Sequence, residues 1–136
     1  MNSWLRGVIP AVITPFDDGG RLDEQALRSE IEYQLNSGVT ALCAGGSTGE
    51  GAGLRCDEVK ALNRIFVDQV HGRVPVIAGI IPDTTDEAVD LALAAKEAGV
   101  AALQVTPPHY LFQPGIPELV SYYSEIHQRT QLGVIL

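Results

Sequence analysis

Short apolar runs recur about every thirty residues along the chain, and this spacing constrains the fold more than any other feature. The runs are almost entirely apolar, whereas a strand with one solvated face would alternate between apolar and polar residues. They therefore predict strands that are covered on both faces, as in a parallel sheet. The five runs cover residues 7–14, 39–45, 74–80, 100–106 and 132–136.

A helical pattern fills each interval between two of these runs. Asp23 can cap a first helix that ends near Gly38, and a capping box from Thr84 to Glu87 opens a third helix that runs to Gly99. Repeated strand–helix pairs indicate parallel βα units, which build either a doubly wound open sheet or a (β/α)8 barrel. The apolar stripes of the first, second and fourth helices contain, in that order, Leu27, Ile31 and Leu35; Val59, Leu62, Ile65, Phe66 and Val70; and Leu119, Tyr123 and Ile126.

The loops that follow the predicted strands favour the barrel over the open sheet. No GxGxxG or GxxxxGK[ST] motif occurs, so the usual dinucleotide and phosphate-loop fingerprints are missing. The unusual residues follow successive strands, and a barrel gathers such loops around one mouth, where its chemistry takes place. The loops read TPFDDGG, GGSTGEG, PDTTD and TPPHYLFQP.

Charge and composition exclude several classes of partner. The formal net charge of −8 argues against a nucleic-acid backbone or an anionic membrane surface. No apolar run reaches the length of a membrane span, and the first ten residues lack a secretory h-region. Cys43 and Cys56 form neither a metal-ligand pattern nor a CxxC motif, so we expect two structural thiols in a reduced, cytoplasmic setting.

The loop after the second apolar run is the strongest candidate for a binding site. Four glycines between residues 45 and 51 allow backbone N–H groups to approach a ligand, and Ser47 and Thr48 add two hydroxyls. The helix N-terminus that follows would add a positive dipole, so the loop suits a carboxylate or a phosphate. The alternative is a tight turn whose serine and threonine merely cap the next helix.

Segments along the whole chain are similar to the dihydrodipicolinate synthase / N-acetylneuraminate lyase family of pyruvate-dependent class I aldolases. The resemblance implies an α/β fold of the (β/α)8 TIM-barrel type. Residues 1–136 would form the N-terminal part of a single barrel domain, with about four βα units and a fifth strand that is cut at its end. The segments are GVIPAVITPFDDGGRLD, GSTGE, RVPVIAGI, VTPPHY and GVIL.

The resemblance also assigns roles to four residues of this sequence. Thr48 would hold the carboxylate of pyruvate or another 2-keto acid with its hydroxyl and backbone N–H. Ser47 would bind substrate too and would belong, with Tyr110, to a catalytic proton relay that Tyr110 completes across a subunit interface. Glu50 would brace the loop. A homo-oligomer, a dimer or a homotetramer, is therefore expected, with no cofactor and no metal ion.

The family's covalent chemistry needs a lysine that this stretch does not supply. A Schiff base forms on a desolvated, neutral amine, whereas Lys60 and Lys96 lie in helical patterns with polar neighbours and are expected to be solvated. The reactive lysine and the acid/base tyrosine would both lie beyond Leu136. We therefore expect the full-length enzyme to be a Schiff-base-forming carbon–carbon or carbon–oxygen lyase, and residues 1–136 alone to be inactive.

The subtype and two other functions remain open at this point. The Ser47-Thr48 pair resembles the residues at the same place in sialic-acid lyases and several sugar-acid aldolases, whereas the synthases usually carry two threonines there. Cys56 and Val59 occupy positions where lysine-regulated synthases carry histidines, and His109 replaces an aromatic residue beside the relay tyrosine. The alternatives are a phosphate-binding barrel enzyme that uses GGSTGEG as its phosphate loop, and a non-catalytic half-barrel.

Overall fold

The computed structural model describes residues 5–108 and 113–136, and in these parts of the chain helices alternate with strands. A 3₁₀ turn, Gly51–Gly53, follows the first strand. The α-helices are α1 (Glu24–Asn36), α2 (Cys56–Val70), α3 (Thr85–Ala98) and α4 (Ile116–Thr130). The strands are β1 (Leu42–Ala44), β2 (Val76–Ile80), β3 (Ala102–Val105) and β4 (Gly133–Ile135), each shorter than the run that predicted it.

The four strands form one parallel sheet in the order β1-β2-β3-β4. Cys43 lies opposite Ile77, which in turn lies opposite Ala102 on the third strand. Each strand pairs with the next one in the chain, and a helix connects them, as in the successive units of a barrel. The predicted βα alternation is confirmed, and the carboxyl ends of all four strands lie along one edge of the sheet.

The first apolar run, residues 7–14, is not a regular strand. It runs parallel to β1 and makes one isolated bridge, between Ala11 and Cys43. The Cys43 N–H donates to the Pro10 carbonyl, and the Val12 N–H donates to the Cys43 carbonyl, both at 3.0 Å. Pro10 has no N–H with which to extend the ladder, so the segment stays an edge partner of β1 instead of a full strand.

Local signals fix the helix ends much as the sequence predicts. The Asp23 carboxylate accepts a hydrogen bond from the Ala26 N–H at 2.9 Å at the start of α1. The Thr84 hydroxyl accepts from the Glu87 N–H at the start of α3. The Glu87 carboxylate reaches back to the Asp83 N–H instead of that of Thr84, so the expected capping box is displaced by one residue.

The main core lies between the helices and one face of the sheet. Leu42, Leu103 and Val105 point toward the helices and are almost fully buried. Cys43, Ile77 and their neighbours form a smaller cluster on the opposite face. No helix of the described residues covers that second face, yet β1 and β2 are buried along their whole length, so the prediction of strands buried on both faces is confirmed for these two strands. β3 departs from it at Gln104, which is exposed, and β4 is only partly buried. None of the described helices combines the length and apolar character needed to cross a bilayer.

Candidate functional site

A cleft of about 260 Å³ opens at the carboxyl ends of the strands. The loop after β1 forms one wall, β3 and the residues after it form the other, and β2 lies between them. The position agrees with the sequence expectation that the chemistry of a barrel gathers at this edge. The lining residues that matter below are Ser47, Thr48, Gly79, Gln104, Thr106 and Leu136.

Residues 45–51, called the glycine loop here, rest directly on β2. Gly45 has a φ of +66°, a left-handed conformation that turns the chain sharply as it leaves β1. Gly79, in β2, touches the loop backbone so closely that a Cβ there would lie 2.5 Å from the Gly46 nitrogen. The absence of a side chain at Gly79 therefore lets the loop settle over the sheet and sets the position of the two residues that follow.

A buried threonine holds the other side of the glycine loop. The Thr14 hydroxyl donates to the Gly49 carbonyl at 2.7 Å, and the Thr14 side chain is only 3% exposed. A Cβ at Gly49 would also lie 2.7 Å from the Val12 carbonyl, so the loop lies against the first extended segment as well as against β2. Sequence reasoning missed Thr14, because its partner lies 35 residues away in the chain.

Ser47 and Thr48 are exposed at the tip of the glycine loop, where they line the cleft. Among the described residues, the backbone N–H groups of Ser47 and Thr48 have no hydrogen-bond acceptor. Two hydroxyls and two N–H groups without an acceptor among the described residues therefore lie at one exposed point of the loop, beside the cleft. Oriented backbone N–H groups of this kind form concavities suited to anions.

The helix after the loop does not contribute as expected. The 3₁₀ turn separates the loop from α2, which begins only at Cys56, so neither Ser47 nor Thr48 lies at that helix N-terminus. The expectation of a helix dipole at these two residues is wrong, and so is the alternative that they cap α2. The Arg55 N–H at the start of α2 donates to the Glu58 carboxylate instead.

The expected brace from Glu50 also takes another form. Glu50 is exposed with a φ of +57°, and within the described residues no hydrogen bond to its carboxylate is found. The backbone closes the loop, because the Gly51 N–H donates to the Gly46 carbonyl and the Gly53 N–H donates to the Glu50 carbonyl. The contribution of Glu50 is thus a left-handed backbone position and a carbonyl acceptor.

Two adjacent tyrosines of α4 support the opposite wall of the cleft. The Tyr122 hydroxyl donates to the Thr106 carbonyl at 3.2 Å, and the Tyr123 hydroxyl donates to the Val105 carbonyl at 3.4 Å. Burial raises the pKa of Tyr122, so its hydroxyl stays a neutral donor at any physiological pH. The sequence placed Tyr123 on the buried stripe, whereas Tyr122 is the more deeply buried of the two.

The remaining candidates from the sequence fall in three groups. Tyr110 and His109 lie outside the described residues. Lys60 and Lys96 are exposed on helices, as expected. Cys43 is buried, whereas Cys56 is exposed. No cluster of three side chains that could hold a metal ion occurs in residues 5–108 and 113–136.

Parallel βα units with a cleft at the carboxyl ends of their strands are features of (β/α)8-barrel proteins. Residues 4–136 match the dihydrodipicolinate synthetase family, and the chain belongs to that family. The 4-hydroxy-tetrahydrodipicolinate synthase of Agrobacterium fabrum strain C58 is 40% identical over 132 residues, covering 97% of this chain and 45% of the relative.

Two solved structures are similar to this chain in three dimensions as well as in sequence. YagE, a prophage protein of E. coli K12 in complex with pyruvate, superimposes with a TM-score of 0.91 at 32% identity, covering 96% of this chain and 43% of YagE. The dihydrodipicolinate synthase of Acinetobacter baumannii, also with pyruvate, gives a TM-score of 0.92 at 30% identity, covering 97% and 45%. These matches confirm the fold class, and the chain spans less than half the length of the relatives it matches.

Proposed function

We propose that the full protein carrying residues 1–136 is a pyruvate-dependent class I aldolase or lyase. In this proposal it acts through a Schiff base on a lysine outside these residues, and the present chain is the N-terminal part of one barrel domain. The observation that carries the proposal is the glycine loop, which holds two hydroxyls and two free N–H groups over the cleft. Family membership supports it, as do the pyruvate complexes of two structural neighbours.

The carboxylate of a 2-keto acid fits the tip of the glycine loop. Thr48 would donate from its hydroxyl and its N–H, and Ser47 would do the same from the neighbouring position. Hydrogen bonds to an ionised carboxylate are shorter and about twice as strong as neutral ones. Because Gly79 and Thr14 fix the loop on both sides, the donors are in place before the ligand arrives, which lowers the cost of binding.

The proton transfers would use residues around the same anchor. Ser47 lies at the cleft and would form one part of the relay, and Tyr110 would complete it from a neighbouring subunit of a homo-oligomer. The amine that attacks the keto carbon has to be neutral and therefore desolvated. Lys60 and Lys96 are exposed and lie on the helices, so neither fits this role. In this proposal the lysine itself activates the keto group, so the enzyme needs no cofactor, and we place it in the cytoplasm.

The anchor is tested by Thr48→Ala in the full protein. Loss of hydrogen bonding to a charged group costs about 1.5–3 kcal/mol, so the dissociation constant for pyruvate should rise roughly 10-fold to 150-fold. Ser121→Ala, which removes an exposed hydroxyl from α4, is the matched control and should leave pyruvate binding unchanged. A Thr48→Ala protein with unchanged pyruvate affinity and a lowered melting temperature would reduce Thr48 to a structural residue.

The Schiff base is tested by completing the barrel. Residues 1–136 are joined to the remaining part of the A. fabrum relative, and the folded chimera is treated with pyruvate and borohydride. Mass spectrometry should find one stable adduct, on a lysine of the second half, and Thr48→Ala should reduce its yield. A folded chimera that binds inorganic phosphate but not pyruvate would favour a phosphate-binding barrel, and one that binds neither would favour a non-catalytic half-barrel.

A further inference from the structure

Gln104 is a polar side chain on the otherwise apolar inner face of the sheet. It is exposed, whereas the other three residues of β3 are buried. Its partners in register are Gly79 on β2 and Ile135 on β4, so no polar side chain stands beside it on either strand. Because Gln104 is exposed, its amide is open to solvent or to a ligand, and a ligand that covers it at a cost in free energy has to offer its hydrogen-bonding groups partners.

One end of the Gln104 amide has a partner within the protein. The Cys43 thiol donates to Gln104 Oε1 at 3.1 Å. Cys43 is 4% exposed, and burial raises the pKa of its thiol to about 11, so the group keeps its proton and remains a donor at neutral pH. With Oε1 occupied, the orientation of the amide is set, and Nε2 is the free end.

Gln104 lines the cleft that Ser47 and Thr48 also line. The neighbouring position on β2 is Gly79, which has no side chain to stand between the amide and the glycine loop. Among the described residues Nε2 has no acceptor. Thr106, two residues further along the same face, also lines the cleft, and its buried Oγ1 lacks a hydrogen-bond partner there. A buried polar atom without a partner, such as Thr106 Oγ1, is rare in folded proteins. Gln104 is exposed, so its Nε2 is open to a ligand that enters the cleft.

We propose that Gln104 is a specificity-determining residue, whose Nε2 donates a hydrogen bond to the 2-oxo oxygen of an acid held by Ser47 and Thr48. The inference rests on the proposed function and deepens it, because it names what distinguishes a ligand from other small carboxylates. The carboxylate binds at the loop tip, and the oxygen on the next carbon binds at the opposite wall of the cleft. Unsubstituted acids offer only the first of these contacts.

A neutral donor at this position selects for a carbonyl oxygen over a methylene group. When the ligand has a methylene there, Nε2 loses its acceptor and stays desolvated beneath it. Sites built to hydrogen-bond a particular ligand group discriminate against analogues that lack it, because their polar groups are left unpaired. We expect the full protein to bind a 2-oxo acid about five-fold to ten-fold more tightly than its deoxo counterpart through this contact.

The test compares oxamate with propionate in the full protein by calorimetry. Both carry a carboxylate, neither forms an imine, and only oxamate has the carbonyl oxygen. Gln104→Met, which keeps the length of the side chain, should abolish the preference for oxamate, and it should not weaken propionate binding, because the methionine has no amide to leave unpaired. Cys43→Ala frees the amide to rotate and should lose part of the preference, whereas Cys43→Ser keeps a donor to Oε1 and should retain it.

Two results would overturn the assignment of Gln104. One is a Gln104→Met protein that keeps the full oxamate preference, and the other is an equal loss of both acids, which indicates a purely structural role. Thr48→Ala separates this failure from failure of the anchor, since it should weaken both acids equally and leave their ratio intact. A wild-type protein that binds neither acid would refute the proposed carboxylate anchor and the role of Gln104 together.

Discussion

Replacing Gly79 with alanine would push a methyl group into the backbone of the glycine loop. The added Cβ would lie 2.5 Å from the Gly46 nitrogen and 2.7 Å from the Gly45 carbonyl carbon, where contacts below 3.0 Å essentially never occur. The atoms it meets belong to the main chain, so no rotamer change relieves the clash. Because β2 is paired on both sides, by β1 and by β3, the loop has to retreat by at least about 0.5 Å.

The displacement should reduce both stability and ligand binding. Overpacking in a well-packed region typically costs about 1–3 kcal/mol of unfolding free energy. Binding groups have to be held within about 0.5 Å of their productive geometry, and the clash moves Ser47 and Thr48 by that amount. We therefore expect Gly79→Ala to raise the dissociation constant for pyruvate at least 10-fold, in addition to its effect on stability.

Urea denaturation and pyruvate calorimetry on the full protein would measure the two effects separately. Gly133→Ala is the matched control, because Gly133 also lies in a strand but a Cβ there would meet nothing within 4 Å. It should change neither quantity appreciably. The steric argument would be refuted if Gly79→Ala and Gly133→Ala proteins had the same stability and the same affinity for pyruvate.

Three further predictions follow from the surface and the uncovered face. Hydrogen bonds from Arg73 and Gln69 lower the pKa of Glu32 from 4.5 to about 2, so the unfolded chain takes up the proton first as pH falls. The contribution of the ionised Glu32 carboxylate to the free energy of unfolding should be complete above about pH 4.5 and lost toward pH 2. The melting temperatures of the wild-type and Glu32→Gln proteins should therefore converge over that range. Pyruvate and borohydride should leave no adduct on Lys60 or Lys96 of the 136-residue chain, and a mass shift on either would contradict their solvation. The same chain should associate through its edges around Val8–Thr14 and Gly133–Leu136 and through the inner face that no described helix covers. Light scattering would detect this association, and a compact, cooperative monomer would disprove it.

The elements whose signals are local could be predicted from the sequence. Asp23 and Thr84 cap their helices through partners three residues away, so the motif and the contact lie in the same short stretch. The parallel order of the strands follows from the repeated βα spacing. The position of the Ser47 and Thr48 hydroxyls beside a cleft could be predicted, because a glycine-rich loop after a buried strand is typical of ligand sites.

Contacts between distant segments were decided only by the tertiary structure. Thr14 meets Gly49 across 35 residues, and Cys43 meets Gln104 across 61. The apolar pattern of residues 7–14 predicts a strand, but the segment makes only a single bridge to β1. Pro10 has no N–H to donate, and whether this interrupts the pairing depends on which strand lies beside it. Hydrophobic periodicity indicates which residues of an element face the core, but it does not indicate which residues of other elements they contact there. The position of the glycine loop therefore depends on the Thr14 hydrogen bond and on the absent side chain at Gly79, and the importance of Gly79 appears only once β1 and β2 lie side by side.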